Sequence, residues 1–335
     1  MTLIGFHRVR CPVCDKWFET HVVLSTNTVG GTDTDFFVRA SGFSPVLFVA
    51  VTCPACLYSG YISDFDPTIT LDDSTKQLLQ SKLQRPEGLL IGEPYTVPGI
   101  LDNAEHTVQD IHPPWVKQEL VARTWRLLKR PDESIAYAYL YASWIVRELS
   151  NPLKTFDMKL QKTIYSALID SITEQSNLPD AREASGQVAI ARTLVEKVGT
   201  LKGDRKLQCS LAALCILRRH GENIEASAIL DYLRPLLPDL QFREFADSLR
   251  ASIECEEYYQ RLALKYFKRV LDAQAQPWLD ATVLYLCGEL SRRLGNWRDA
   301  LHYYTRAANS YNCSGDLASL IQQQSELVQE ALNKQ

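Results

Sequence analysis

The sequence predicts a mostly α-helical protein with a small β-rich head, and three observations predict it. Two Cys-Pro-x-Cys hooks, Cys11-Pro-Val-Cys14 and Cys53-Pro-Ala-Cys56, lie in a segment rich in β-branched and aromatic residues. After Pro113-Pro114, apolar residues recur at three- and four-residue spacing almost to the end of the chain, the period of helices that bury one face. Near the C-terminus this pattern forms a pair of helices around a short glycine-containing turn. The 335 residues, 46% hydrophobic and 23% charged, suffice for two or three units with cores of their own.

The head spans residues 1–66. Trp17 to Leu24 reads as a strand leaving the first hook, Gly30-Gly31 as a turn, Asp35 to Ala40 as a second strand and Val46 to Thr52 as a buried strand feeding the second hook. Two hooks brought together supply four thiolates, the ligand set of a tetrahedral structural Zn²⁺, so Cys11, Cys14, Cys53 and Cys56 are the expected metal ligands of a zinc-ribbon-like domain. The metal replaces a core that so short a segment cannot build. A redox Cys-x-x-C uses one pair at the start of a helix after a strand, whereas here two pairs sit among strands. Four thiolates complete the shell, which makes His7 and His21 ordinary strand or surface residues. The residue after each hook is expected in the left-handed region; Asp15 tolerates this and Leu57 resists it, so the second hook is expected to turn differently.

Residues 67–114 read as a linker. Prolines 67, 86, 94, 98, 113 and 114 and glycines 88, 92 and 99 break any long period, leaving room for a short helix over 74–84. Leu89 to Ile91 and Ile100-Leu101 are apolar enough to pack on neighbouring elements.

Residues 115–335 are expected to be helical, with windows at 115–129, 132–149, 157–176, 181–198, 204–220, 222–236, 239–274, 277–294, 297–311 and 315–333. Residues 281–314 resemble a tetratricopeptide (TPR) repeat. Gly288 stands where two helices approach closely, Leu294 to Trp297 make the turn, and Ala300, Tyr304 and Ala307 alternate small and large on the second helix. Residues 120–149 are a weaker echo, and 315–333 read as a capping helix, which together predict a TPR-like α-helical solenoid that folds without the head. Cys209, Cys215, Cys255, Cys287 and Cys313 lack ligand spacing and are expected as small hydrophobes. In a TPR register Tyr285, Glu289, Arg292 and Arg293, with Thr282, face the concave side and are the candidate partner-binding residues. The competing reading is a solvated set of Glu289 pairs with Arg292 and Arg293.

The head with its two hooks, the Asp33-Thr-Asp-Phe36 stretch and a tail carrying LYLCGELSRRLGN at 284–296 together resemble an uncharacterised bacterial family, domain-of-unknown-function family 2225, over nearly the whole chain. Two departures stand out: Leu57 where glycine is usual, and Ser44-Pro45 where Asn-Pro is usual. The resemblance implies an architecture and no activity.

No phosphate-binding loop, dinucleotide fingerprint, zinc-protease helix or nucleophile elbow occurs, and the six histidines are scattered. Asp33 and Asp35 form a carboxylate pair without a further catalytic partner, expected to cap or solvate a turn. Four cysteine ligands leave no open position for a zinc-dependent hydrolase. The net charge is −4, and the head carries Arg8, Arg10, Lys16 and Arg39 against Asp15, Glu19, Asp33, Asp35, Asp64 and Asp66. A nucleic-acid-binding zinc ribbon with a helical assembly tail is therefore the second choice. With no signal-like apolar stretch at the N-terminus and no membrane-length run, the expected setting is cytoplasmic; an odd nine cysteines also fit a reducing compartment. The expectation is a non-enzymatic adaptor that holds structural zinc and binds a protein partner.

Overall fold

The computed structural model of the chain describes residues 2–40, 42–83, 108, 112–150, 184–201, 203–237, 240–273 and 280–333. The expected helix at 157–176, the apolar linker residues Leu89 to Ile91 and Ile100-Leu101, and the first residues of the 181–198 window lie outside them. Among the described residues the protein is mostly helical, with short strands confined to the N-terminal region, and no helix is long and apolar enough to cross a membrane.

Strands β1 (Leu3–Arg10) and β2 (Trp17–Ser25) pair antiparallel, with Arg10 opposite Trp17 and Val9 opposite Phe18. Strands β3 (Ala50–Thr52) and β4 (Ser59–Tyr61) form a second small antiparallel pair, Thr52 opposite Ser59. Each hairpin carries one cysteine hook at its turn. The strand expected over 46–52 keeps only its last residues, because Pro45 at the first position and the buried Val46, Leu47 and Phe48 form a short 3₁₀ turn instead. The strand expected over 35–40 is absent; residues 30–39 make a tight loop closed by the Thr32–Val38 bridge and by Gly30 N–H to Arg39 C=O at 3.0 Å.

The helices are α1 (Asp73–Lys82), α2 (Pro114–Leu127), α3 (Asp132–Leu149), α4 (Ala184–Val198), α5 (Gly203–His220), α6 (Asn223–Leu233), α7 (Leu240–Ala273), α8 (Ala281–Arg293), α9 (Trp297–Ala308) and α10 (Gly315–Asn333). Asp72 caps α1 by accepting the Thr75 N–H at 2.8 Å, and Asp280 caps α8 by accepting from Thr282 at 2.7 Å.

One turn recurs between helices. α2 and α3 join through Lys129, α5 and α6 through Gly221, α8 and α9 through Gly295, with φ of 54°, 73° and 76°. Each donates its N–H three residues back, to Arg126, Arg218 and Arg292, and the next residue donates five back, to Trp125, Leu217 and Ser291. This is a Schellman closure, in which one left-handed residue satisfies the last helical carbonyls. In the α8/α9 pair the expected close approach is present: a Cβ at Gly288 would lie 2.6 Å from the Tyr304 ring.

The chain forms two compact units, and both draw on residues from each side of the linear boundaries read at 66 and 114. The first comprises residues 1–29, 40–145 and 259–273; the second comprises 30–39, 146–258 and 274–335. In the first, Val9, Val13, Phe18, Val51, Tyr58, Phe65 and Leu79 pack around the cysteine sulfurs. Helix α2 lies on the β3/β4 hairpin, where Ser59 N–H donates to Thr124 Oγ1 at 3.3 Å and Trp125 Nε1 and Arg130 donate to Asp64 at 3.3 and 2.9 Å. In the second, α4, α5, α6 and the first half of α7 share an apolar core that includes Leu194, Leu214, Leu217, Leu230, Leu249 and Ile253.

Candidate metal centre and a buried ion network

The two hooks are built alike. Cys11 N–H donates to Lys16 C=O at 2.9 Å and Asp15 N–H to Cys11 C=O at 3.0 Å; Cys53 N–H donates to Tyr58 C=O at 2.8 Å and Leu57 N–H to Cys53 C=O at 3.0 Å. Asp15 and Leu57 have φ of 60° and 61°. The expectation that Leu57 would turn the second hook differently is thus corrected. A leucine pays roughly 1–2 kcal/mol in the left-handed region, but here its side chain packs against the core beside the sulfurs, which offsets the strain.

This geometry brings Cys11, Cys14, Cys53 and Cys56 together with all four sulfurs within 4.8 Å of one another. Cys11 and Cys56 are 3.5 Å apart and Cys14 and Cys53 3.6 Å. A tetrahedral thiolate site with metal–sulfur bonds of about 2.3 Å has edges of about 3.8 Å, so the set fits a metal ion such as zinc. Without a cation the thiols cannot all ionise. Cys53, accepting hydrogen bonds from Cys11 and Cys56, is held down to about 2, whereas Cys11 is pushed up to about 12 by its hydrogen bond to Cys53, and Cys56 is pushed up by its bonds to Cys11 and Cys53. A bound divalent ion would remove that conflict by neutralising the thiolates and tying the two hairpins together. Neither expected bystander joins the set: His7 is exposed, and the His21 ring lies 5.3 Å from Phe6 and 5.7 Å from Phe48.

The second unit holds a feature that sequence reasoning missed. Asp33, Asp35, Glu222, Glu256 and Glu289 are buried together with Arg39, Arg147, Arg218, Arg292 and Arg293, five acids with five guanidiniums. Arg147 donates to Glu256 at 2.8 Å, to Asp33 at 3.0 Å and to Asp35 at 2.5 Å. Arg39 grips both oxygens of Asp33, at 3.1 and 2.7 Å, and Arg218 pairs with Glu256. His220 completes the shell of Asp33 through Nδ1 at 2.8 Å. The Asp33-Thr-Asp-Phe36 stretch is therefore an ionic plug, and the solvated turn expected for Asp33 and Asp35 is corrected.

The candidate partner-binding residues lie in the same network, and the exposed concave face expected of them is also corrected. Tyr285 and Glu289 have no exposed surface, and Arg292 and Arg293 are 3% and 2% exposed. Glu289 accepts from Arg292 and Arg293 as helical spacing suggests, at 2.9 and 2.8 Å, and also from Thr34 at 2.6 Å and Tyr304 at 2.7 Å. Arg292 binds Glu222 through two bonds of 2.8 Å, and Tyr285 donates to the Thr34 carbonyl at 2.5 Å. The pairs are real, but they form in the interior because residues 30–39 cover them. Burial opposes every charge here; at the carboxylates the opposite charges overcome it, whereas at Arg218 and His220 burial prevails and holds the group below its ordinary value. Arg292 brings Glu222 down to about 2, Arg147 and Arg218 bring Glu256 down to about 2, and Arg39 and His220 hold Asp33 well below the usual carboxylate range. The one legible signal was the density of Asp and Arg around otherwise apolar helical patterns.

A family profile described as an uncharacterised protein conserved in bacteria, DUF2225, matches residues 6–178 and 241–328. No curated protein and no solved structure matches the chain.

Proposed function

From the premise that the chain belongs to the DUF2225 family, a membership that carries no activity with it, we propose a non-enzymatic interaction adaptor: a zinc-stapled head with TPR-like helical hairpins that bind a polypeptide partner. The observation that carries this reading is the recurrence of one Schellman-closed hairpin at Lys129, Gly221 and Gly295. Repeated helix pairs of one geometry are the units of stacked helical scaffolds, whose usual work is to present an extended surface to another chain. The cysteine set supports a structural role for the metal, since four thiolates leave a tetrahedral ion no open position for substrate. Two of the head's four basic residues are already engaged by acids, which weakens a nucleic-acid reading: Arg39 is buried on Asp33, and Arg10 pairs with Asp15 at 2.6 Å. Affinity capture from a bacterial lysate with the purified full-length chain, run with and without nuclease, tests the reading. A discrete polypeptide retained in both arms is the expected result; capture that disappears with nuclease would replace the adaptor with a nucleic-acid binder.

A further inference from the structure

Helix α6 carries an apolar stripe that the fold leaves open. Ile224, Ala228 and Tyr232 stand at i, i+4 and i+8 on one face, and all three are exposed, Ile224 by 42% and Tyr232 by 37%. The stripe forms one wall of a groove of about 730 Å³ within the second unit, whose other walls include Val195 and Val198 of α4, Leu327 and Ala331 of α10, and Trp297. Val195 is 41% exposed as well. Large apolar side chains scattered singly over a surface are ordinary, but several exposed along one groove mark a docking surface.

The groove has the proportions of a helix seat. At a rise of about 1.5 Å per residue, Ile224 and Tyr232 stand about 12 Å apart along α6, the spacing of three large side chains on successive turns of an approaching helix. Ala228, small and central in the stripe, lets a second backbone come close. The charges at the groove select among helices. Arg192 is taken by Glu225, Arg292 by Glu222 and Arg293 by Glu289, each at 2.8 Å. What remains is Glu196 and Glu330, both exposed and unpaired among the described residues, against Lys206, half-buried with its Nζ 5.3 Å from the Tyr232 ring. The open rim is therefore acidic.

We propose that this groove, and not the buried face of α8, is where the adaptor takes its partner, and that the partner segment is an amphipathic helix with an apolar stripe and basic flanks. Its apolar side chains lie along Ile224, Ala228 and Val195, and its lysines or arginines meet Glu196 and Glu330. An acidic helix of the same shape meets that rim as repulsion, which supplies the selectivity. The proposal rests on the adaptor reading above and gives it a surface and a partner chemistry.

Fluorescence-polarisation titration of the full-length chain with a side-chain-stapled helix of about 14 residues, leucine at every third and fourth position and lysine between, tests this. The same helix with glutamate in place of lysine, and one with its leucines scattered, serve as comparison probes. The lysine helix should bind at one site per chain, the glutamate helix about tenfold more weakly, and the scattered helix not at all. Glu196→Lys with Glu330→Lys should reverse the preference. Ala228→Trp blocks the middle of the stripe, and Gly199→Phe fills the groove from a position with nothing within 4 Å; each should abolish binding at an unchanged melting temperature. The proposal is overturned by absence of saturable binding of the lysine helix, by equal binding of the glutamate helix, or by a preference that survives the charge reversal. It is overturned also by binding unaffected in a filled variant, or by a wild-type dimer that a filled variant dissociates, since a second copy would then occupy the groove. In the lysate capture, a polypeptide held equally by wild type and by Gly199→Phe overturns the groove and leaves the adaptor standing; if the wild-type chain holds none, the adaptor reading fails and the groove with it.

Discussion

Arg147 has no exposed surface and holds three carboxylates, Asp33, Asp35 and Glu256. A lone guanidinium at that depth would be costly, and the three acids are what make its burial tolerable; Asp35 and Glu256 are the strongest influences opposing the burial penalty, so its charge is held firmly. The dependence is mutual. Arg147→Met keeps most of the volume but leaves the acids uncompensated, and it should cost about 3–5 kcal/mol, read from the denaturation midpoint of the purified variant. A loss below about 1 kcal/mol would mean that the network behaves as surface pairs do. Gly221 shows how tightly the same region is packed: with φ of 73° it lies where any Cβ would meet Arg293 and Arg147.

Among the elements, the two hooks and the helical turns each achieve a shared geometry with unlike residues. Cys53→Ser removes one of four donors, and because metal binding by such hooks is folding energy, bound zinc and the order of β3 and β4 should be lost together. Elemental analysis alongside thermal melting checks this, and unchanged zinc with unchanged melting would dismiss the site. In the helical turns, Gly221 and Gly295 take the left-handed position at little steric cost, whereas Lys129 takes it exposed and with no gain in packing, at φ 54°. Lys129→Gly should therefore raise stability by about 0.5–1 kcal/mol. A destabilised variant would show that this turn is held by its side chain instead.

On the scale of the whole molecule, the ion network governs the response to acid. Glu222 and Glu256 sit at about 2 in the fold, and Asp33 and Glu289 are also held below the usual range. Groups depressed in the fold contribute stability above their unfolded pKa, about 4, and that stability is lost as pH falls through the folded values. His220 is depressed too, mainly by burial against the pull of Asp33, so unfolding begins to take up a proton below about pH 6.5. Urea midpoints should be flat near neutrality, decline gently below about pH 6.5 and fall steeply below about pH 4. A midpoint unchanged down to pH 3 would show that the buried carboxylates are not ionised.

The network also decides where the chain can be cut. Residues 115–335 were expected to fold alone, yet the second unit includes Gly30–Arg39, whose Asp33 and Asp35 neutralise Arg147 and whose Thr34 bonds Glu289. Helix α2 in turn takes its cover from the β3/β4 hairpin. Expression of 115–335 should give an aggregated or non-cooperative product by circular dichroism, and a soluble fragment that melts like the full chain would make residues 30–39 dispensable.

What the sequence determined by itself is local in origin. The spacing of Cys11, Cys14, Cys53 and Cys56 picks out the four sulfurs that the fold gathers into a set able to hold a metal ion, the three-and-four period marks the described helices, and the small and large residues at Gly288 and Tyr304 announce the α8/α9 hairpin. Each is written within a turn or two of chain, where covalent geometry limits the alternatives. The tertiary structure alone decided that Leu57 turns as Asp15 does, that residues 30–39 form a plug instead of a strand, and that Tyr285, Glu289, Arg292 and Arg293 are interior. Asp33 and Arg147 are 114 residues apart, and no local period records such a pairing. Read by helical spacing, charged residues belong to solvent; in this fold opposite charges drawn from distant segments neutralise one another, and that mutual neutralisation is what allows them inside.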